Sequence, residues 1–373
     1  RMLQAVFLLC GIGLNVTFAV YLAFINVFAT SLASKSIMGS MNLSIYAAAV
    51  VAAFVQSLVS SNFSKGWCFW ICCQVQIALL VLAGTLAAMP MARSTSHVLL
   101  VGVLIGIFEG GGLTALQELA ASVDGGMTRF VNTGFTLAQI VPVLLSFLLG
   151  FHEAGPESVA ATVFAWIPSL LCLFACIALA CTLWLGLFDK VADDGFLLAE
   201  DPGQSRPLLQ HEEKSLWVPA SIPLLSIHLA MLALSSFFMP FSAYLGDAQL
   251  THFVVLTRFV AELKGRLFAH ALGLGHCGFG MLVVLLIYRA FLLALLLLVA
   301  HGSMWLSRWC LLSIVGMFFS SFAWANSESM ATLASLGPKR LEPQRVHAVM
   351  LWSFAVQLVS LAAAQLLIKN LEP

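Results

Sequence analysis

Met2–Ala29 runs from end to end without an Asp, Glu, Lys or Arg, and Leu282–Ala300 holds a single charge, Arg289. Runs of this length match a hydrocarbon core ~30 Å thick, which a helix of about 20 apolar residues crosses. The strands of a membrane barrel would instead alternate over about ten residues. The same character extends along the chain, where 61% of residues are hydrophobic and 9% charged. An ordinary soluble domain is far less apolar. The expected fold is therefore an all-α polytopic membrane protein.

Breaks at polar or Gly/Pro clusters predict eleven spans, at 3–31, 39–60, 67–89, 97–121, 128–151, 159–188, 217–245, 250–271, 279–300, 304–336 and 344–369. The long polar segment "DKVADDGFLLAEDPGQSRPLLQHEEKS", residues 189–215, reads as a flexible linker. It predicts a six-helix bundle over 1–188, a linker loop over 189–216 and a five-helix bundle over 217–373. Basic residues in cytoplasmic loops set orientation. With the N-terminus inside, the cytoplasmic set is Arg1, Lys65, Arg129, Lys190, Arg206, Lys214, Lys339, Arg340 and Arg345; the external set is Lys35, Arg93, Arg308 and Lys369. Nine against four favours a cytoplasmic N-terminus and linker, with the C-terminus outside. The chain opens on Arg1 and not on methionine, so a preceding polar tail is expected.

Ionisable groups in hydrocarbon cost ~2.5–3.5 kcal/mol on insertion scales, so each is a functional candidate. The eighth span concentrates them, with Arg258, Glu262, Lys264 and Arg266 inside nine positions. Arg258, Glu262 and Arg266 are spaced i, i+4, i+8 and share an arc of about 80°. Glu262 can pair with an arginine a turn away on either side. Lys264 points elsewhere and is expected to snorkel to the headgroups. Two readings of the triad stand open: a buried pair that fixes helix register, or a face on a water-filled path.

Glu109 lies in "GIFEGGGLTALQELA", where Gly106, Gly110, Gly111 and Gly112 allow close helix approach. Glu118 is expected near the membrane surface. Asn326 and Glu328 make the tenth span polar in "SFAWANSESMATL". Trp166, Trp184 and Trp352 read as packing or belt residues. The nine cysteines lie mostly in apolar segments and read as small core residues, not as metal ligands. No HExxH, nucleophile–His constellation or P-loop appears, so no catalytic residue, metal or cofactor is expected. The formal net charge of zero implies no nucleic acid.

Several stretches together resemble the equilibrative nucleoside transporters. "LGPKRLEPQ" (Leu336–Gln344) is similar to their Gly-Pro-Lys-basic turn, and "AELKGRLF" to their eighth-helix Asp-x-x-Gly-Arg, with Glu262, Gly265 and Arg266 in the matching places. Arg289 in "IYRAF" resembles their ninth-helix arginine, Pro240 in "SFFMPF" their seventh-helix Phe-Pro, and "GIGLNVTFAV" the Gly-rich opening of their first helix. The resemblance implies a major-facilitator-like 6+5 arrangement in the plasma membrane. It also implies facilitative transport of nucleosides or nucleobases by alternating access, by a monomer whose partners are a small polar substrate and the lipid bilayer. Glu262 and Arg266 take the positions of the family's substrate-contacting acid and arginine, Glu109 that of its fourth-helix glutamine, and Asn326 that of its tenth-helix asparagine.

The chain departs from the pattern in three places. Thr17 and Phe18 replace a first-helix Trp–Asn pair, Arg258–Phe259 replaces Phe–Asn before the acid, and Glu328 replaces a tenth-helix tyrosine. The expected gating and ion-pair set is Arg258, Glu262, Arg266, Arg289 and Glu328, with Arg266 holding Glu262 ionised. A proton-coupled carrier of another polar solute, with Glu109, Glu262 or Glu328 as proton carrier, is the first alternative. A receptor of the same fold that binds without flux is the second.

Overall fold

The computed structural model describes residues 2–23, 37–59, 65–88, 94–148, 166–186, 222–245, 248–271, 278–336 and 342–371. They form eleven α-helices and no strand. In chain order these are α1 (Met2–Ala23), α2 (Ile37–Val59), α3 (Lys65–Ala88), α4 (Thr95–Val123), α5 (Thr128–Leu148) and α6 (Ile167–Trp184). The second set is α7 (Ile222–Phe241), α8 (Ala248–Ala271), α9 (Phe279–Ala300), α10 (Arg308–Ser335) and α11 (Glu342–Leu371). Each expected span holds one helix. The 189–215 linker and most of the Leu336–Gln344 turn lie outside the described residues.

Nine of the described helices are long and apolar enough to cross a membrane; α5 and α8 are the two left out. The chain is a multi-pass integral membrane protein. The two exceptions have a physical reason. α8 carries the four clustered charges, and α5 carries Arg129, Asn132, Thr133, Thr136 and Gln139. These two helices pack against each other, which turns polar side chains away from lipid. Trp184 near one end of the bundle, and Trp305 and Trp309 near the other, are 90%, 88% and 81% exposed, as expected of an aromatic belt.

Local sequence sets several helix ends. Ser94 caps α4 by accepting from the His97 amide, and Ser307 caps α10 by accepting from the Cys310 amide. Asp124 closes the turn into α5 by accepting from the Gly126 amide at 3.2 Å.

Packing sorts the helices into two sets. In the first, α1 lies against α5 and α6, α3 against α4 and α6, and α2 against α4. In the second, α8 lies against α10, and α7 against α9, α10 and α11. The sets meet chiefly where α11 touches α2 and α4, and where α5 touches α8. Polar stitches hold the first set: Asn15 donates to the Phe135 carbonyl at 2.8 Å, Gln76 to the Cys10 carbonyl at 2.9 Å, and Gln117 to Asn132 Oδ1 at 2.9 Å. The N-termini of odd-numbered helices and C-termini of even-numbered ones share one end, here the α6/α7 end.

Gly106 and Gly110 press α4 onto the Ile45 and Ala49 backbone of α2, and Gly112 faces Val75 and Leu14. Gly111 does not share this role, since a Cβ there would meet only Gln56, at 4.0 Å. Gly265 brings α8 onto α10, where any Cβ would collide with the Ser320 carbonyl. Because that obstacle is backbone, Gly265→Ala is expected to cost ~1–3 kcal/mol through forced helix separation. Thermal denaturation of the purified protein in detergent measures it, and an unchanged midpoint would refute the close-approach argument.

Candidate functional site

The central feature is a charged layer between the two sets of helices. Arg258 Nε donates to Glu262 Oε1 at 2.9 Å, with the side chains 16% and 6% exposed. The helical i, i+4 spacing places them on one face, and burial strengthens their attraction. The Arg258 guanidinium also lies over the Phe319 ring of α10, 5.0 Å from its centroid. Tyr46 of α2 lies within electrostatic reach of Arg258, Glu262 and Glu109 at once. By helix rise, these four residues lie about 14–21 Å from the end opposite α6/α7, near mid-depth.

Glu109 is buried on α4, and its Oε1 has no hydrogen-bond partner. Arg266 was expected to hold Glu262 ionised. It lies within electrostatic reach of that carboxylate, but the bonded partner is Arg258. Arg266 Nε and Nη1 remain without a partner although the residue is buried. Lys264 is exposed, in keeping with snorkelling.

Arg289 was expected in the ion-pair set and is held differently. Its Nε donates to the Phe318 carbonyl at 3.2 Å, Nη1 to the Met231 carbonyl at 2.8 Å, and Nη2 to Ser235 Oγ at 2.5 Å. The Phe318 and Phe322 rings face the guanidinium at 4.5 and 4.9 Å. Arg289 therefore joins α7, α9 and α10 as a bolt. Phe318 and Phe319 stand edge to face 5.0 Å apart, so aromatic rings link it to Arg258.

This architecture was compared with solved structures. The proton:xylose symporter XylE of the major facilitator superfamily, bound to 6-bromo-6-deoxy-D-glucose, matches with a TM-score of 0.65 at 10% identity, over 99% of this chain and 89% of that one. The xylose transporter XylE from E. coli, in a partially occluded inward-open conformation, matches with a TM-score of 0.61 at 11% identity, over 100% of this chain and 97% of that one. The fold is that of the major facilitator superfamily. No protein-family model matches the chain, and no curated protein matches it by sequence.

Within this major-facilitator fold the remaining candidates separate. Thr17 and Phe18 are both buried on α1, and Thr17 Oγ1 has no partner. Phe18 belongs to an apolar cluster with Ile37, Ile45, Ile105, Val143 and Phe259, which draws in both sets of helices. By helix rise, Phe18, Ile37 and Val143 of that cluster lie on the side of the charged layer away from the α6/α7 end, while Ile105 and Phe259 are level with the layer. Asn326 Oδ1 is buried without a partner, while Glu328 is 1% exposed and engaged in interactions of its own.

Two features were missed in sequence because histidine was left out of the count of buried charge. His228 of α7 is buried, with Nδ1 2.8 Å from Ser329 Oγ of α10 and Nε2 3.2 Å from Ser353 Oγ of α11. His347 of α11 meets Glu118 of α4. Glu118, expected near the membrane surface, lies five residues from the end of α4 and is buried within the protein at 1% exposure, its second oxygen accepting from the Cys68 thiol at 3.2 Å. The signal available was a histidine inside an apolar helix, where a polar ring needs partners.

Proposed function

We propose that the protein carries a small polar solute across a membrane by alternating access, and that its substrates are nucleosides or nucleobases. The observation that carries this reading is the charged layer, in which Arg258–Glu262 on one set of helices and the buried Glu109 on the other lie at the same depth. Such groups at mid-depth suit a transporter, where solute sites lie near the midplane between repeats. The structural neighbours transport xylose, and ribose offers similar hydroxyls. The Asp-x-x-Gly-Arg-like stretch and the Gly-Pro-Lys turn favour the nucleoside class over free sugars.

In this reading Glu262 accepts hydrogen bonds from ribose hydroxyls or base N–H groups, and Arg258 holds it in place through their 2.9 Å bond. Arg266 and Asn326 offer their unpartnered atoms to the solute, with Thr17 and Phe18 at its far side. Transport is facilitative, in the plasma membrane, by a monomer with its N-terminus cytoplasmic and its C-terminus outside. The six- and five-helix bundles rock about the charged layer.

One observation favours a second reading. A buried carboxylate with a partnerless oxygen, as at Glu109, suits a proton carrier better than Glu262, which is already paired.

The deciding experiment is a competition panel in proteoliposomes, with tritiated nucleosides, nucleobases and xylose at two pH values. Nucleosides or bases are expected to be taken up, and Glu262→Gln to reduce uptake about tenfold or more. Uptake of xylose alone, or undiminished uptake by the variant, overturns the substrate role. Accumulation that needs an imposed pH difference and disappears in Glu109→Gln selects the proton-coupled reading.

A further inference from the structure

Glu118 stands five residues before the end of α4, and His347 five residues after the start of α11. These helices belong to opposite sets, and the two side chains meet at the α6/α7 end with exposures of 0% and 6%. Cys68, three residues into α3, donates its thiol to the other carboxylate oxygen. Both Glu118 oxygens are thus engaged, one within its own set and one across to the other. A buried acid with an imidazole is a costly way to pack two helices, because apolar side chains of similar volume would serve as well. Parting the two helix ends takes this bond from a buried acid and a buried ring together, so the contact is strong only while both ends are together.

Neighbouring groups have other attachments. Asp124 caps the turn after α4. The His228 ring is taken up by Ser329 and Ser353. Arg129, Glu328, Arg345 and His347 itself each have further interactions.

We propose that Glu118 and His347 form a clasp that holds the α6/α7 end closed, and that parting them is a required step in opening the solute path there. The proposal rests on alternating access between the two sets of helices, not on the identity of the solute. His347 and Glu118 are positioning residues that act on the closure, away from the charged layer.

Cys68 supplies a reporter, being 3% exposed beneath the pair. In full-length protein with the other cysteines replaced by alanine, reconstituted without solute, Cys68 is labelled with a membrane-permeant maleimide. His347→Leu keeps bulk and removes the ring nitrogens, and labelling is expected to quicken about tenfold. His347→Asn keeps a polar nitrogen near the position of Nδ1 and is expected to restore labelling to within about threefold of the parent. Equal rates in the parent and Leu variants, or in the Leu and Asn variants, overturn the clasp.

Hydrogen exchange of the native-cysteine protein gives an independent reading should the alanine background fail to fold. Amides at the α6/α7 ends of α3, α4 and α11 are expected to exchange faster in His347→Leu, with those at the opposite end unchanged. Uniform change, or none, overturns the clasp. Faster labelling alongside failed nucleoside uptake would overturn the substrate assignment alone; unchanged labelling alongside uptake would overturn the clasp alone.

Discussion

Replacing Arg289 with alanine is expected to destabilise the protein by about 3–5 kcal/mol. The side chain is 0% exposed, yet its hydrogen bonds run to two backbone carbonyls and a serine and not to a carboxylate. Its charge is met by these dipoles and by two aromatic faces, with Glu262 within electrostatic reach but not bonded to it. Alanine leaves a cavity between three helices and removes the donors that join α9 to α7 and α10. Lysine keeps the charge but not the planar fork, so its ammonium cannot reach three directions together. Arg289→Lys is therefore expected to lose about half as much. Thermal unfolding in detergent, followed by tryptophan fluorescence, ranks the variants. A lysine variant as stable as the parent would show that charge alone matters and that the fork does nothing.

How far the sequence revealed this molecule depends on the range of each interaction. Helix number was legible because bilayer thickness is written into each apolar run, and α1, α4 and α9 fall where those runs fall. The charged layer was legible through Arg258 and Glu262, since charge inside a span is costly and i, i+4 spacing is local. The choice between Arg258 and Arg266 as partner was not, because both lie one turn from Glu262. Phe319 of α10, beside the Arg258 guanidinium, is a neighbour that spacing along α8 cannot reveal. Arg289 showed the same limit, since its acceptors belong to α7 and α10. Glu118 and His347 lie 229 positions apart, and no local pattern joins them.

The two ends of the seam differ in chemistry, which bears on how a carrier of this design would move. Away from α6/α7, Phe18, Ile37 and Val143 belong to one apolar cluster, which Phe259 of the other set joins at the depth of the charged layer, and water entry there exposes hydrophobic surface. At the α6/α7 end, Glu118 and His347 are polar and gain hydration when they part. Opening the first end costs in proportion to exposed area, whereas opening the second costs a few specific bonds that water partly replaces. Substitutions of Phe18 should therefore act by size, and those of His347 by donor geometry.

The Arg258–Glu262 pair permits a test that separates folding from function. Arg258→Leu takes away the bonded partner of the buried Glu262 carboxylate, and is expected to cost about 3–5 kcal/mol. Glu262→Leu leaves Arg258 with the Phe259 and Phe319 faces and some access to water, and is expected to cost less, about 2–3 kcal/mol. The double leucine variant removes both charges together and is expected to recover most of the loss, giving a coupling of about 1.5–3 kcal/mol. Unfolding midpoints of the four proteins supply the cycle. If the pair only fixes the register of α8, the double variant, once stable, should carry solute as the parent does. If the pair faces the solute path, the same variant should fold and yet fail to transport. We expect the second result, because the pair lies at the same depth as the buried Glu109 of the opposite set, whose Oε1 has no hydrogen-bond partner.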